Sequence, residues 1–533
     1  MSGAFVPTNV ADLLRERATD GPDRLALIDA DRTVSWVGLD ARVDELARGM
    51  TGLGFRGGHR VVIAMTNSIE FVATYLAVLR SGMVAVPVNP EATAAALAAI
   101  VADSRARLCF ADASSASTVR EAFRLVDGLH SADGPSPAYA PTHRLVVADV
   151  NPEAGEVAYG DLTESAGRVV TPRDPELLAV LLYTAGTSIH PRGAMLTHRA
   201  LLANIDQTSA TTPPPVGPDD VVLGVLPLFH AYGLNAVLGQ VLRHGATLAI
   251  GKRLHPDETL RLVEDAAVTC VPVAPAVVTA WASRDDLERR LSSVTKVLSG
   301  AAPLAEDVVA RFESRTGLRV EQGYGLTEAA PVVTSTLGTA MRKPGSSGRP
   351  VPGVEVRVSD GDGNDVHVDD PGEIWVRGEN LFSGYWPEGE HAPVDGWLRT
   401  GDVGFLDSDG DLFMVDRLDE LVTVSGFNVY PAEVENVVLE LDEVAECAVI
   451  GVADLPAEKS VVAYVVAAPG TDTTGLEDTV TAHCRERLAR FKVPAAVRLV
   501  PRLPHSATGK VAKDRLRLDA DFAASDMPRP LVR

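Results

Sequence analysis

Five short segments hold residues whose types and spacing suit chemistry on a charged ligand. The first covers residues 183–193, YTAGTSIHPRG, with Gly186, Gly193, the hydroxyls of Thr184, Thr187 and Ser188, and Arg192. Glycines let a backbone approach a ligand closely, and exposed N–H groups and hydroxyls donate to phosphate oxygens. The segment lies between an apolar run, LLAVLL, and helix-patterned residues, MLTHRALLANI. It therefore reads as strand, small-residue turn and helix, a layout that cradles anions. Its spacing is not that of a P-loop. A plain strand-to-helix turn whose hydroxyls cap the helix fits the same residues equally well.

The second segment is GYGLTE, residues 323–328, preceded by Gln322. Tyr324, between Gly323 and Gly325, can offer its face to a flat ring. Thr327 and Glu328 supply hard oxygens of the kind Mg²⁺ takes. In the third, LSGAAPL, the small residues Gly300, Ala301 and Ala302 either leave space beside the backbone or pack tightly. The fourth, GWLRTGDVGFLDSDGDLFMVDRLDE, carries Asp402 and Arg417. A carboxylate can accept two hydrogen bonds from a vicinal diol, and an arginine can donate to the same hydroxyls. The fifth, PRLPHSATGKVAKDRLR, places Lys510 on a polar loop, where a lysine matters only if a distant site needs a cation.

These segments must be positioned by elements that the pattern makes legible. Residues 34–55 read as a short strand and a helix, with Leu39, Val43, Leu46 and Met50 at helical spacing. Apolar runs at 61–65 and 84–88 flank a second helix, and the alternation resumes at 221–226, 247–250, 268–273 and 296–298. This predicts α/β layers with largely parallel, buried strands. Residues 130–175, rich in Pro, Gly and acidic residues, read as a surface excursion. After about residue 340, short alternating strands with Gly and Asp turns predict a small barrel-like or antiparallel β module. A small α+β domain follows Asp416. The expected division is an N-terminal domain, 1–416, a joint at 417–420 and a C-terminal domain, 421–533, whose tail after about residue 518 reads as loose.

At 533 residues the chain is too long for one core. Its net charge of −23 argues against general affinity for nucleic acid or anionic membranes. Cys109, Cys270, Cys447 and Cys484 are far apart with no metal spacing, which fits reduced thiols. No window approaches about 18 uninterrupted apolar residues, so no membrane span is expected. The opening MSGAFVPTNVADLLRERATDG lacks the basic-then-apolar pattern of a signal peptide, giving a cytoplasmic expectation.

Taken in order, YTAGTSIHPRG, LPLFHAYGL, GYGLTEAAP, RTGDVGFLDSDGDLFMVDRLDELVTVSGFNVYPAEVE and LPHSATGK resemble the adenylate-forming enzymes. That group holds acyl- and aryl-CoA synthetases, luciferases and peptide-synthetase adenylation domains. The resemblance runs from about residue 8 to about residue 517 and is closest to fatty acyl-CoA ligases. It implies a large N-terminal domain and a small, mobile C-terminal lid. A carboxylic acid attacks the α-phosphate of ATP to give an acyl-adenylate and pyrophosphate. The lid then turns, and a thiol, CoA first among candidates, takes the acyl group as a thioester.

By the same resemblance Thr184, Gly186, Thr187, Ser188 and Arg192 embrace the β- and γ-phosphates. Gly300, Ala301, Ala302 and Tyr324 sandwich adenine, and Gln322 and Gly325 also belong to the nucleotide site. Thr327 meets phosphate and Glu328 holds Mg²⁺. Asp402 and Arg417 bind the ribose hydroxyls, Asp419 is the hinge, and Lys510 enters the site for adenylation alone. His230, Tyr232, Gly300 and Gly323 border the acyl pocket, where the small residues would let an extended chain pass. Ser425, Gly426 and Phe427 line the CoA tunnel. LPLFHAYGL holds no carboxylate for an α-amino group, so a neutral acid is expected, a fatty acid of medium or longer chain before an aryl or branched acid. An acyl carrier protein is the alternative acceptor. A catalytically impaired member that only binds nucleotide or acyl ligand is the alternative to an enzyme.

The first segment departs from the family form YTSGTTGxPKG at Ala185, Ser188, Ile189 and Arg192. Ile189 is the serious change, because a β-branched residue resists positive φ. The loop is therefore expected to take a stiffer path that weakens ATP binding or slows adenylation. Ile189→Gly should lower the KM for ATP or raise kcat in a pyrophosphate-release assay. No change in either would mean the loop tip does not limit the reaction.

Overall fold

The computed structural model describes residues 6–132, 143–164, 169–184, 192–252, 255–302, 304–339, 341–418, 420–424, 427–455, 458–505, 511–513 and 515–517. The loop tip with Ala185, Gly186, Thr187, Ser188 and Ile189 lies outside the described residues, as do Asp419, Ser425, Gly426, Lys510 and the tail after 517. The chain forms two compact units, residues 1–355 with 376–398, and residues 356–375 with 399–533.

Two seven-stranded sheets build the first unit. One runs, in spatial order, Val157–Ala158, Arg144–Val147, Leu108–Ala111, Arg60–Ala64, Val84–Pro87, Leu178–Thr184 and Arg192–Thr197. The other runs Val320–Gln322, Lys296–Ser299, Cys270–Val273, Val221–Gly224, Thr247–Ile250, Leu25–Asp29 and Arg32–Ser35. In each sheet the last pair is antiparallel and all the others are parallel. Parallel strands lie under helices on both faces, which is why they read as unbroken apolar runs such as VVIA and LCFA.

Helix Trp36–Gly52 buries Leu39, Val43, Leu46 and Met50 as its periodicity predicts, and Ser35 caps it by accepting from the Gly38 N–H. Helix Ile69–Arg80 is buried along its whole length. Its terminal Arg80 is paired with Asp40 at 2.5 Å and Asp44 at 2.8 Å.

The second unit contains most of a sheet ordered Val354–Ser359, Gly372–Gly378, Trp397–Leu406, Leu412–Arg417. The chain crosses between the units inside three of these strands. A short hairpin, helices Pro431–Val438 and Leu476–Arg487, and a sheet of Val444–Leu455, Glu458–Ala467 and Ala496–Leu499 complete it. Val434, Val438, Val449, Val465 and Val480 form its core.

Two expectations change. Residues 183–193 do not lead from strand to helix. They join two antiparallel strands, with Thr184 opposite Arg192 and Tyr183 opposite Gly193. Residues 192–197 are held from a second side by 383–386, where the Trp386 N–H donates to the Gly193 carbonyl (2.8 Å) and the Met195 N–H to the Gly384 carbonyl (3.0 Å). Ladder bonds thus satisfy this backbone, and helix His198–Ser209 starts only afterwards, capped by Thr197 rather than by a loop hydroxyl. The stretch 130–175 is also not wholly an excursion. Arg144–Val147 enters the first sheet, and Leu145, Val146, Val147, Tyr159 and Leu162 are buried. Among the described residues no helix is long and apolar enough to cross a membrane, and all four cysteines are free and buried.

His198 pins the start of that helix from inside. Its Nδ1 faces the Val10 N–H at 3.3 Å and its Nε2 faces Asn9 Nδ2 at 3.1 Å. Burial pushes its pKa down to about 4, with Asp12 opposing. Both neighbours are donors, so a second ring proton meets no acceptor. A folded pKa below the ordinary imidazole value gives stability that is present above about pH 6.5 and lost as pH falls toward 4. Urea midpoints of the wild-type chain should therefore fall more steeply than those of His198→Gln between pH 6.5 and 4.5. Parallel slopes would show that His198 does not contribute.

Candidate active site

The strand Val320–Gln322 delivers the GYGLTE turn. The Leu326 N–H donates to the Pro331 carbonyl at 3.0 Å, and the Val333 and Thr334 N–H groups donate to the Tyr324 carbonyl at 3.0 and 3.1 Å. This double-back leaves no room for side chains. A Cβ on Gly325 would lie 2.2 Å from the Pro331 carbonyl oxygen, and one on Gly323 2.6 Å from that of Thr334.

Three buried asparagines hold the far side of the turn. Asn204 donates to the Val332 carbonyl at 2.8 Å and accepts from its N–H at 3.0 Å. Asn235 donates to the carbonyls of Ala330 (2.7 Å) and Leu201 (3.1 Å). Asn380 donates to the Ala329 carbonyl at 2.7 Å. Sequence reasoning did not single out these residues. Their signal is an amide inside an apolar helix-patterned run, as in ALLANI and YGLNAVL, since a buried amide must find partners. Asn67 acts in the same way on the neighbouring loop. It donates to the Leu226 carbonyl at 2.9 Å and accepts from the Leu228 N–H at 2.9 Å.

A cavity of about 110 Å³ is bordered by His230, Tyr232, Gly300, Gln322, Tyr324 and Thr327, with Ala301, Gly323 and Gly325 also in its wall. Residues expected at the acyl, adenine and phosphate positions thus share one space. Tyr232 opens a π-helical stretch, Tyr232–Gly239, a form that concentrates at functional sites. Burial pushes its phenol pKa up, so the ring stays neutral. Ala301 has φ 78°, the left-handed region that a non-glycine residue occupies only at a cost of about 1–3 kcal/mol.

Two of the small residues are packed on the side where a Cβ would point. A Cβ on Gly300 would lie 3.2 Å from the Tyr232 ring, and the space beside Gly323 holds the Thr334 carbonyl. Both glycines also border the cavity.

Glu328, in the short 3-10 turn Thr327–Ala329, accepts from the Tyr385 hydroxyl on one carboxylate oxygen at 2.5 Å. Arg192 lies over the same Tyr385 ring, its guanidinium carbon 4.3 Å from the centroid. The Arg192 Nε is buried and without a hydrogen-bond partner, and among the described residues no carboxylate pairs with this arginine. A fixed carboxylate with one oxygen unengaged among the described residues, sharing Tyr385 with a cation that no described carboxylate pairs, fits a divalent metal with a polyphosphate.

In the second unit, Asp402 and Arg417 are cross-strand partners, with Arg417 Nη1 donating to Asp402 Oδ1 at 3.0 Å. Asp402 is buried and Arg417 half-exposed. Lys513, another residue sequence reasoning passed over, binds Glu420 at 2.7 Å and Glu435 at 2.8 Å. It ties the segment after Lys510 to Glu420, the last residue of the expected joint.

The profile of the AMP-binding enzyme family matches residues 14–386, and that of the AMP-binding enzyme C-terminal domain matches 433–510. A 4-coumarate--CoA ligase-like 9 of Oryza sativa subsp. japonica is 33% identical, over 97% of this chain and 92% of that protein. A long-chain-fatty-acid--CoA ligase of Yersinia pestis is 32% identical, over 96% and 94%. The crystal structure of ATP-bound MatB from Rhodopseudomonas palustris superposes with a TM-score of 0.85 at 30% identity, covering 96% of this chain and 99% of that one. The anthranilate CoA ligase AuaEII in complex with anthranoyl-AMP gives 0.86 at 25%, covering 98% and 100%.

Asn235→Ala would strand the Ala330 carbonyl and remove a second bond to the helical Leu201 carbonyl. Its unfolding free energy in urea should fall by about 1–3 kcal/mol. An unchanged midpoint would show that water replaces the amide.

Proposed function

Since the chain belongs to the AMP-binding enzyme family, we propose that it activates a carboxylic acid with ATP and transfers the acyl group to CoA. The observation that carries this is the Glu328–Tyr385–Arg192 group, on the same turn whose Thr327 and Tyr324 wall the cavity. Attack of a carboxylate on the α-phosphate expels pyrophosphate and leaves an acyl-adenylate. Such a step needs positioning and cancellation of negative charge more than covalent help. Arg192 and Thr184 supply donors to the leaving phosphates. Tyr324, Gly300 and Ala301 bound the adenine space, and Asp402 with Arg417 holds the ribose diol. Glu328 would hold Mg²⁺, whose chemistry is to neutralise the phosphates. Lys510 brings a further charge during adenylation and withdraws, about a joint at 417–420 containing Asp419, when the thiol enters. Ser425, Gly426 and Phe427 line the thiol's path on this reading.

The acid is neutral, with a compact apolar body, aromatic or of medium chain. Tyr232 closes on Gly300, and Glu321 at the cavity wall is engaged by Thr336 and Arg319, leaving no free carboxylate for an amino group among the described lining residues. A longer fatty acid is the second reading, favoured by the similarity to long-chain ligases. The names of the relatives support CoA as acceptor rather than a carrier protein.

Pyrophosphate release should be measured with ATP, Mg²⁺ and a panel of benzoate-, cinnamate-, octanoate- and palmitate-type acids, with and without CoA. Acid-dependent release and acyl-CoA by mass spectrometry are expected, with compact acids ahead of palmitate. Release without a thioester on CoA would move the acceptor to a carrier protein. No acid-dependent release would sink the reading. Lys510→Ala should abolish adenylation yet still form thioester from supplied acyl-adenylate, and near-normal pyrophosphate release would remove its assigned role.

A further inference from the structure

We propose that Tyr385 is a positioning residue that keeps the phosphate-binding cation and the metal-binding carboxylate ready without letting them neutralise each other. This deepens the function proposed above and rests on it. The three side chains come from separate segments: Arg192 from strand Arg192–Thr197, Glu328 from the turn Thr327–Ala329, and Tyr385 from the stretch that follows Asn380. That stretch is bonded to both of the others. The Phe382 N–H donates to the Glu328 carbonyl at 2.9 Å, and Tyr385 forms a bridge with Ala194, two residues beyond Arg192.

The ring itself is fixed. Tyr385 is 9% exposed, with Phe382 and His391 packed edge-on at 5.2 and 5.7 Å. Its hydroxyl donates to Glu328 Oε1, and its face lies under the Arg192 guanidinium. An arginine bound directly to a glutamate forms a bidentate pair, which would occupy the carboxylate and the cation together. Here Tyr385 takes each group separately, Glu328 at its hydroxyl and Arg192 over its face. The hydroxyl fixes one carboxylate oxygen and spares the other, and the aromatic face holds the guanidinium while consuming no counter-ion.

This also accounts for arginine where related loops carry lysine. A flat guanidinium stacks on a ring in a defined orientation, which an ammonium group cannot do. The Tyr385 face thus gives the guanidinium at 192 a defined seat.

Tyr385→Phe keeps the ring and removes the hydroxyl, whereas Tyr385→Leu removes both. ATP binding should be titrated by calorimetry across Mg²⁺ concentrations, beside KM and kcat. For Tyr385→Phe the Mg²⁺ needed for half-maximal ATP affinity should rise about tenfold, with ATP affinity in the absence of Mg²⁺ within about twofold of wild type. Tyr385→Leu should also lose affinity at saturating Mg²⁺. Should the leucine variant unfold, as its melting curve would show, the phenylalanine variant still decides the matter. Wild-type Mg²⁺ dependence in Tyr385→Phe overturns the assignment. A wild-type chain that binds no ATP at all would instead overturn the functional reading beneath it.

Discussion

The turn from Leu326 to Val332 satisfies the carbonyls of Leu326, Thr327 and Pro331 within itself, so those of Glu328, Ala329, Ala330 and Val332 must be satisfied from other elements. Asn204, Asn235 and Asn380 do this for the last three, from the helix after the hairpin, from the π-helical stretch and from the segment before Tyr385. Each amide is buried, so each bond is difficult to replace with water. The position of Glu328 therefore depends on three elements far apart in sequence. Those elements are placed in turn by the sheets. Gly300 follows strand Lys296–Ser299, and Gly323 follows strand Val320–Gln322. The cavity thus lies beyond the carboxyl ends of parallel strands, where open α/β sheets place ligands.

Periodicity and apolar runs made the sheets legible. Strands Thr247–Ile250 and Lys296–Ser299 and helix Trp36–Gly52 lie where their patterns put them. The hairpin at 183–193 was misread because LLAVLLYT and RGAMLT pair with each other, and no local pattern records such a partner. The same limit hid strand Arg144–Val147 within a stretch whose composition is polar on average.

The site was legible in part, and for a physical reason. Residues expected to meet a ligand sit in distinctive motifs, so Glu328, Tyr324 and Gly300 could be named from sequence. Residues that hold those motifs carry no mark beyond an odd amide or phenol in apolar surroundings. A small residue is also ambiguous on its own. Gly300 and Gly323 read equally as gap or contact until Tyr232 and Thr334 are seen against them. That contact fills the Cβ side of each glycine, while both still border the cavity.

Pairing separates two kinds of cation in this chain. Arg80 sits between Asp40 and Asp44, Arg342 on Glu313, and Lys513 between Glu420 and Glu435. Each has its charge cancelled locally, as a partly buried charge must when it serves only the fold. Arg192 is partly buried too, yet it rests on an aromatic face with one N–H unbonded. A charge held this way is costly unless an anion arrives to complete it. Together with a carboxylate engaged at one oxygen, this places the structural cost at the point where a polyphosphate would repay it.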